Sequence, residues 1–379
     1  MTVPAVEEYL VDYSDFGKLL VSLLENGFVD EVVGYQIRKD RFAVSAAKMG
    51  AKDKEALLQF PLSQLMVYNY ARTDSAAKFL HKKMDGAFSS KTLLVGRPCD
   101  ARALVELAKR FQVKLDNVFT IIVEDQGRMS TKQLTTFFKK AGVDLEKVAR
   151  ERVVDGHLVL YLDDGSTKEF PLGKGVDFAA NCYRCFRKVP PLADLTVTDL
   201  GLPKESSKLI LSAWSELGVD ALRKSGLNLE ALPASIKEAK EKVQAALVEA
   251  ARERRAKDLA AFKEDPNRIP AFLTCTMCGM CINACPVCFC KDCILQKKRK
   301  EKAIDKVSYQ LTRIAHVADS CVGCGLCSIV CPKNLPLSEI FQSINDDIAE
   351  DFEYVPGVSL EAEPPRSGKV IKDIALGGE

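Results

Sequence analysis

The sequence predicts a two-part α/β protein: a domain with a mixed, largely parallel sheet over residues 1–230, and a small cysteine-rich domain over 270–345. Residues 231–269 read as a helical linker and 346–379 as a C-terminal tail. Three observations carry this division. Apolar runs alternate with segments of helical periodicity through the first half. Residues 234–263 contain neither Gly nor Pro. Eleven of the fourteen cysteines fall between Cys275 and Cys331.

The first half opens with "FGKLLVSLLENG", leucines at helical spacing ending at Gly27, and continues with the strand-like "VDEVVGYQI". "KTLLVG" reads as a short buried strand and "DARALVELAKRF" as the helix that starts straight after it. "NVFTIIVE" and "STKQLTTFFKKAG" repeat the alternation, which argues for βα units and parallel pairing. "HLVLYLDDGSTKEFPL" instead holds two alternating strands around Asp164-Gly165, a hairpin signal. "KLILSAW" and "SELGVDALRKSG" add a strand and a helix. The Ala-, Glu- and Lys-rich stretch from 234 to 263 predicts a long surface helix, stopped by "EDPNRIP". The tail, with "EAEPPRSGK", is expected to run extended over a partner or over its own surface.

At 379 residues the chain is too long for one core. A formal charge of +2 gives no reason to expect nucleic acid. No apolar run approaches the roughly 20 residues of a membrane span. "MTVPAVEEYL" has neither the basic start nor the apolar core of a signal peptide, so a cytoplasmic location is expected. Disulfides are rare there, and locally clustered cysteines suit metal ligation better than stapling.

"CTMCGMCINACP" supplies Cys275, Cys278, Cys281 and Cys285, and "CVGCGLCSIVCP" supplies Cys321, Cys324, Cys327 and Cys331. Both read C-x2-C-x2-C-x3-C-P, the spacing of a ferredoxin-like domain with two [4Fe–4S] clusters. Each iron of a cubane takes one thiolate, and glycines between the cysteines permit the tight wrapping. The fourth cysteine of each run serves the other cluster. One cluster is therefore expected on Cys275, Cys278, Cys281 and Cys331, the second on Cys321, Cys324, Cys327 and Cys285. The competing reading is a pair of zinc sites, which usually join C-x2-C to a distant second half. Between the motifs, "KKRKEK" is read as a solvated helix face, with steering of an acidic redox partner as the alternative. His316 is expected in the core of its helix "VSYQLTRIAHVAD"; His81 and His157 have no readable context.

Three further stretches resemble one family. "FGKLLVSLLENGFVDEVV", "LLVGRPCDARAL" and "CYRCFRKVPPLADLTVTDLG", with "KLILSAWSELGVDAL" downstream, resemble the beta subunits of coenzyme F420-reducing hydrogenase and related formate dehydrogenases over residues 10–230. The resemblance implies a flavin-binding domain, usually with FAD, that also holds a [4Fe–4S] cluster on Cys99, Cys182 and Cys185. This sequence has no cysteine at "TIIVEDQG", where the family tends to place its fourth ligand, and Phe16-Gly17 replaces the family's glycine pair. Gly17, Gly96 and Arg97 are the candidate flavin contacts. The Cys99 position, a strand-to-helix turn, is independently one where backbone donors favour a thiolate. "CVGCGLCSIVCPKNLPL" also resembles subunits of heterodisulfide-reductase-type complexes.

The run "CPVCFCKDC" leaves Cys288, Cys290 and Cys293 spare. One of them could complete a third cubane with Cys99, Cys182 and Cys185; the three could also hold a centre with a borrowed fourth ligand, or stay as buried thiols. The function expected is an iron–sulfur flavoprotein subunit of an anaerobic oxidoreductase complex, linking a two-electron carrier to one-electron clusters. No residue suited to activating formate or hydrogen is evident, so a separate catalytic subunit is expected as partner. The alternative is a flavin-free relay between a dehydrogenase and a heterodisulfide-reductase-type partner.

Overall fold

The order of strands follows from where the chain can and cannot reverse. In the computed structural model, which describes residues 5–38, 41–71 and 75–366, the strands are β1 (Glu7–Asp12), β2 (Glu31–Ile37), β3 (Ala43–Met49), β4 (Asn69–Tyr70), β5 (Thr92–Gly96), β6 (Val118–Val123), β7 (Val148–Val154), β8 (His157–Leu162), β9 (Thr167–Pro171), β10 (Leu195–Thr198), β11 (Lys208–Ala213) and β12 (Glu230–Ala231). Nine form one sheet in the order β12-β1-β11-β10-β6-β5-β2-β3-β4, and β7-β8-β9 form a second.

The centre of the large sheet, β10-β6-β5-β2, is parallel. β6 is buried along its whole length, which explains why "VFTIIV" is apolar on both faces, broken only by Thr120, whose hydroxyl donates to Asp194 at 3.1 Å. The flanks depart from the largely parallel sheet expected, because β12, β1, β11 and β10 pair antiparallel in series and so do β2 and β3. The β2–β3 and β10–β11 connections carry no crossover helix, and a direct return forces antiparallel pairing. The sheet is mixed.

Helix Pro98–Lys109 crosses from β5 to β6. Proline at its first position needs no N–H partner there, and Asp100 accepts the Arg97 backbone N–H at 3.0 Å, closing the turn. Leu104 and Leu107 are fully buried beneath it, each worth roughly 1.5–3 kcal/mol relative to exposure. The predicted linker helix runs Ala234–Glu264. One end is pinned by Lys237 and Lys240 on Glu8, the other by Arg255 on Asp346 and by Asp258 on Arg184. No helix among the described residues is long and apolar enough to cross a membrane.

Beyond the linker helix the described residues contain no strand. The ferredoxin-like arrangement, which would require paired strands, is replaced by short helices at the two motifs and longer ones, Lys306–Val317 and Leu337–Phe352, beside them. The physical reason is readable in "VSYQLTRIAHVAD": Tyr309, Arg313, Ile314 and Val317 are buried at helical spacing, and no alternating run is available to pair. His316, expected in the core, is exposed, because Arg313 takes the buried face instead. The tail up to residue 366 lies on the protein's own surface. Tyr354 Oη and the Gly357 N–H both donate to Glu106 (2.8 and 2.7 Å), and Arg366 pairs with Asp319. Residues 367–379 of the predicted tail lie outside the described residues.

Candidate metal centres

The eight cysteines of the two motifs surround two cavities. One is lined by Cys275, Cys278, Cys281 and Cys331, the other by Cys285, Cys321, Cys324 and Cys327. Each motif thus turns its first three thiols to one side and its fourth to the other. The turn is made at Gly279 and Gly325, both left-handed (φ +80° and +69°) at the start of a short helix. At Gly325 the requirement is doubled, since a Cβ there would overlap the Asn181 side-chain amide. Cys275 Sγ accepts from the Met277 N–H and from Gln310 Nε2, each at 3.2 Å.

A third cavity lies where the two parts of the chain meet. Cys99, Cys182 and Cys185 line it, and so does Cys324, which therefore forms the wall between this cavity and the second. Asn181 Nδ2 donates to the Cys324 carbonyl at 2.9 Å, and the buried Arg128 donates to the same oxygen. Cys99 is the second residue of its helix, yet the thiolate expected there is not favoured by the protein alone. Burial pushes the thiol up to about 12, against the opposing pull of Arg128. Cys185 goes the other way: burial raises it, but Arg102, 3.7 Å from its sulfur, and Lys188 together bring it down.

Cys288, Cys290 and Cys293 line none of these three cavities. Their segment docks instead on helix Ala76–Lys83. Lys78 Nζ reaches the carbonyls of Ile282 (3.2 Å), Asn283 and Cys285 (3.1 Å), and Lys82 Nζ reaches that of Phe289 at 2.7 Å. Cys290 is exposed. The thiol that crosses the boundary to Cys99, Cys182 and Cys185 is Cys324, and the "VEDQG" segment of their own domain adds a carboxylate, Asp125.

Buried cations fit anionic groups in these cavities. Arg128 and Arg313 are 2% and 1% exposed, and in each the Nε and Nη1 atoms have no hydrogen-bond partner among the described residues. Nη1 of Arg97, which also lines the third cavity, is likewise unpartnered. An iron–sulfur cluster carries net negative charge through its thiolates and sulfides and would receive such donors. Among the described residues no three His, Cys, Asp or Glu side chains converge as ligands of a single ion; the thiols ring cavities. Arg128 and Arg313 escape sequence reading, since an arginine in "DQGRMS" or "QLTRIAH" looks like ordinary surface charge.

A fourth cavity, of about 360 Å³, opens elsewhere on the α/β domain. Tyr13, Phe16, Phe60 and Arg41 line it beside Gly17, and Arg41 has an unpartnered Nε. A Cβ on Gly17 would overlap the Leu58 backbone, so the glycine is needed for helix Phe16–Glu25 to approach that turn. The volume lies in the range of small-ligand pockets. Arg97 does not face this cavity. Its Nε pairs with Asp125 at 2.8 Å, and its Nη2 donates to the carbonyls of Leu65 and Tyr68. Gly96 packs tightly, 3.1 Å from the Asp100 Cβ and 3.3 Å from the Ala76 Cβ for an added Cβ. Helix Leu62–Val67 stands between the two cavities, its first residues lining the one at Gly17 and its Leu65 carbonyl holding Arg97.

Residues 271–335 match the 4Fe-4S dicluster domain family, and residues 89–231 match the family described as the C-terminal part of the coenzyme F420 hydrogenase/dehydrogenase beta subunit. The chain is 31% identical over 289 residues to the F420-dependent formate dehydrogenase 1 subunit beta of Methanococcus maripaludis, spanning 72% of this chain and 74% of that protein. The chain belongs to the F420 hydrogenase/dehydrogenase beta-subunit family. Another member, the F420-dependent formate dehydrogenase subunit beta of Methanocaldococcus jannaschii, is 28% identical over 295 residues, covering 72% of this chain and 76% of that one. A chain of the F420-reducing [NiFe] hydrogenase complex from Methanosarcina barkeri shares the fold, with a TM-score of 0.54 at 17% identity over 68% of this chain and 92% of that one. These relatives are oxidoreductase subunits, and the present chain has a dicluster domain of its own. The two formate dehydrogenase relatives are named for dependence on F420, and neither name includes FAD.

Proposed function

We propose that this beta-type chain passes electrons between coenzyme F420 and a catalytic dehydrogenase or hydrogenase subunit, through three iron–sulfur clusters. The observation that carries the reading is the series of three thiol-lined cavities, the second and third sharing Cys324 as a wall and the first and second built from crossed motifs. In this reading Cys275, Cys278, Cys281 and Cys331 hold one cluster, and Cys285, Cys321, Cys324 and Cys327 the next. Cys99, Cys182 and Cys185 hold the third. Their cavity supplies cations on several sides, which favours an anionic occupant.

A deazaflavin such as F420 exchanges hydride, two electrons at once, whereas clusters exchange one. A flavin, FAD in the reading preferred from sequence, is the group that converts between the two. The cavity at Gly17 is its candidate site: aromatic side chains to pack a ring system, Arg41 to meet a negative group, and one short helix between it and the third thiol set. Tyr13, Phe16 and Phe60 offer aromatic faces there, and Arg41, whose Nη2 pairs with Glu151 at 3.0 Å, keeps Nε free.

Anaerobic purification followed by iron and flavin counts tests this. About twelve irons with one flavin per chain, and visible bleaching on adding reduced F420, are expected. About eight irons with no flavin, and reduction by dithionite but not by reduced F420, would support the flavin-free relay instead.

A further inference from the structure

A buried arginine lines each of two cavities and donates to the carbonyl of a cysteine that belongs to the neighbouring thiol set, and the two share an arrangement. Arg128 spends Nη2 on the Cys324 carbonyl. It lines the third cavity together with Cys99, Cys182, Asp125 and Cys324, and Cys324 is the wall shared with the second cavity. Arg313 donates from Nη2 to the Cys281 carbonyl at 3.2 Å and stacks over Phe341 at 5.0 Å. It lines the second cavity with Cys285 and Cys327, while its carbonyl contact sets it against Cys281 of the first set, and the Cys288 thiol is also within electrostatic reach. In both, Nε and Nη1 remain without a partner, and neither arginine makes an ion pair with a carboxylate among the described residues.

Two uncompensated guanidinium groups in the interior would cost several kcal/mol each. Carbonyl clamping alone does not repay this, because one N–H suffices for it and leaves the others stranded. A guanidinium offers donors along more than one edge of a rigid plane, so a single arginine can serve acceptors on two sides. Anions on both sides would satisfy both arginines at once.

We propose that Arg128 and Arg313 are bridging residues, each donating N–H bonds to the sulfurs of two neighbouring iron–sulfur clusters and raising both reduction potentials. Arg128 serves the third set and the set containing Cys324; Arg313 serves the two sets of the dicluster domain. The proposal rests on the cluster reading given above. A positive charge between two clusters stabilises the added electron on either one, so each arginine acts on a pair and its removal lowers a pair.

The test is a redox titration of the anaerobically purified full chain, followed by electron paramagnetic resonance, for wild type, Arg313→Gln and Arg313→Lys, and the same pair at Arg128. Arg313→Gln should lower the midpoints of both dicluster clusters and leave the third unshifted, with the lysine variant recovering part of the loss. Arg128→Gln should lower the third cluster and one dicluster cluster. Unchanged midpoints at full iron content, or a shift confined to one cluster, would overturn the bridging role. Where a glutamine variant loses iron, wild-type protein with 15N-labelled arginine decides instead. Electron–nuclear double resonance should show arginine nitrogen coupled to the reduced clusters, and no such coupling would overturn the proposal. Low iron in the wild type would sink the cluster reading itself, an outcome distinct from full iron with unshifted midpoints.

Discussion

Replacing Gly325 with alanine should damage the seam between the two parts of the chain. Two costs add at this position. Its φ of +69° is left-handed, where a Cβ costs about 1–2 kcal/mol. The new methyl would also overlap the Asn181 amide, and overpacking of this kind costs about 1–3 kcal/mol. Gly142 provides the control, with φ +61° and nothing within 4 Å, so Gly142→Ala carries the first cost without the second. Thermal melts of the anaerobically loaded protein should show Gly325→Ala melting several degrees below Gly142→Ala. For a chain of this size, each kcal/mol moves the midpoint by roughly 2–4 °C. Asn181→Ala in the Gly325→Ala background should recover the overpacking share, giving a coupling energy of about 1–3 kcal/mol in a double-mutant cycle. Equal melting of Gly325→Ala and Gly142→Ala, or strict additivity with Asn181→Ala, would refute the steric argument.

Cys278→Ser should remove or degrade one cluster and cost up to about four irons per chain; an unchanged iron assay would contradict the ligand assignment. Glu124 gives a pH dependence. Burial raises its carboxyl to about 7, while Lys240 and the Gln244 hydrogen bond oppose the rise and Glu8 adds to it. Between its ordinary 4.5 and about 7 the folded state holds a proton that the unfolded state has released, so stability should fall by about 3 kcal/mol as pH rises through that window. Denaturation series at several pH values should show that slope in wild type and its loss in Glu124→Gln; identical slopes would refute it. Glu106→Gln should loosen the tail, since the buried carboxylate accepts from Tyr354 and Gly357 and pairs with Arg110 at 2.6 Å. Limited proteolysis should then cut between residues 354 and 366 faster than in wild type, and equal rates would count against the tail being held there.

The elements that read cleanly from sequence are those whose burial is local in pattern. The leucines of helix Phe16–Glu25, the nearly all-apolar β6 and the Asp164-Gly165 hairpin declare themselves within a dozen residues. Pairing direction does not, because β1 and β11 are partners some two hundred residues apart and nothing in "EEYLVD" says which way its neighbour runs. The motif cysteines are legible through their spacing. Cys324 facing a second cavity is not, since that depends on Asn181 and Arg128 meeting its carbonyl across the domain boundary. His316 misleads for a simpler reason: the helix Lys306–Val317 buries an arginine where an apolar residue is the usual occupant, which rotates the reading of its face.

The helix Ala234–Glu264, 31 residues and so about 46 Å long, is anchored by ion pairs at both ends. It acts as a strut. Electron tunnelling weakens steeply with each added ångström, so a hinge at this boundary would make every crossing wait for a favourable closure. Under the proposed function, a braced boundary would remove that wait and keep the separation of the clusters constant from one turnover to the next. Internal transfer should then be insensitive to solvent viscosity, leaving the encounter with carrier and partner as the step that sets the pace.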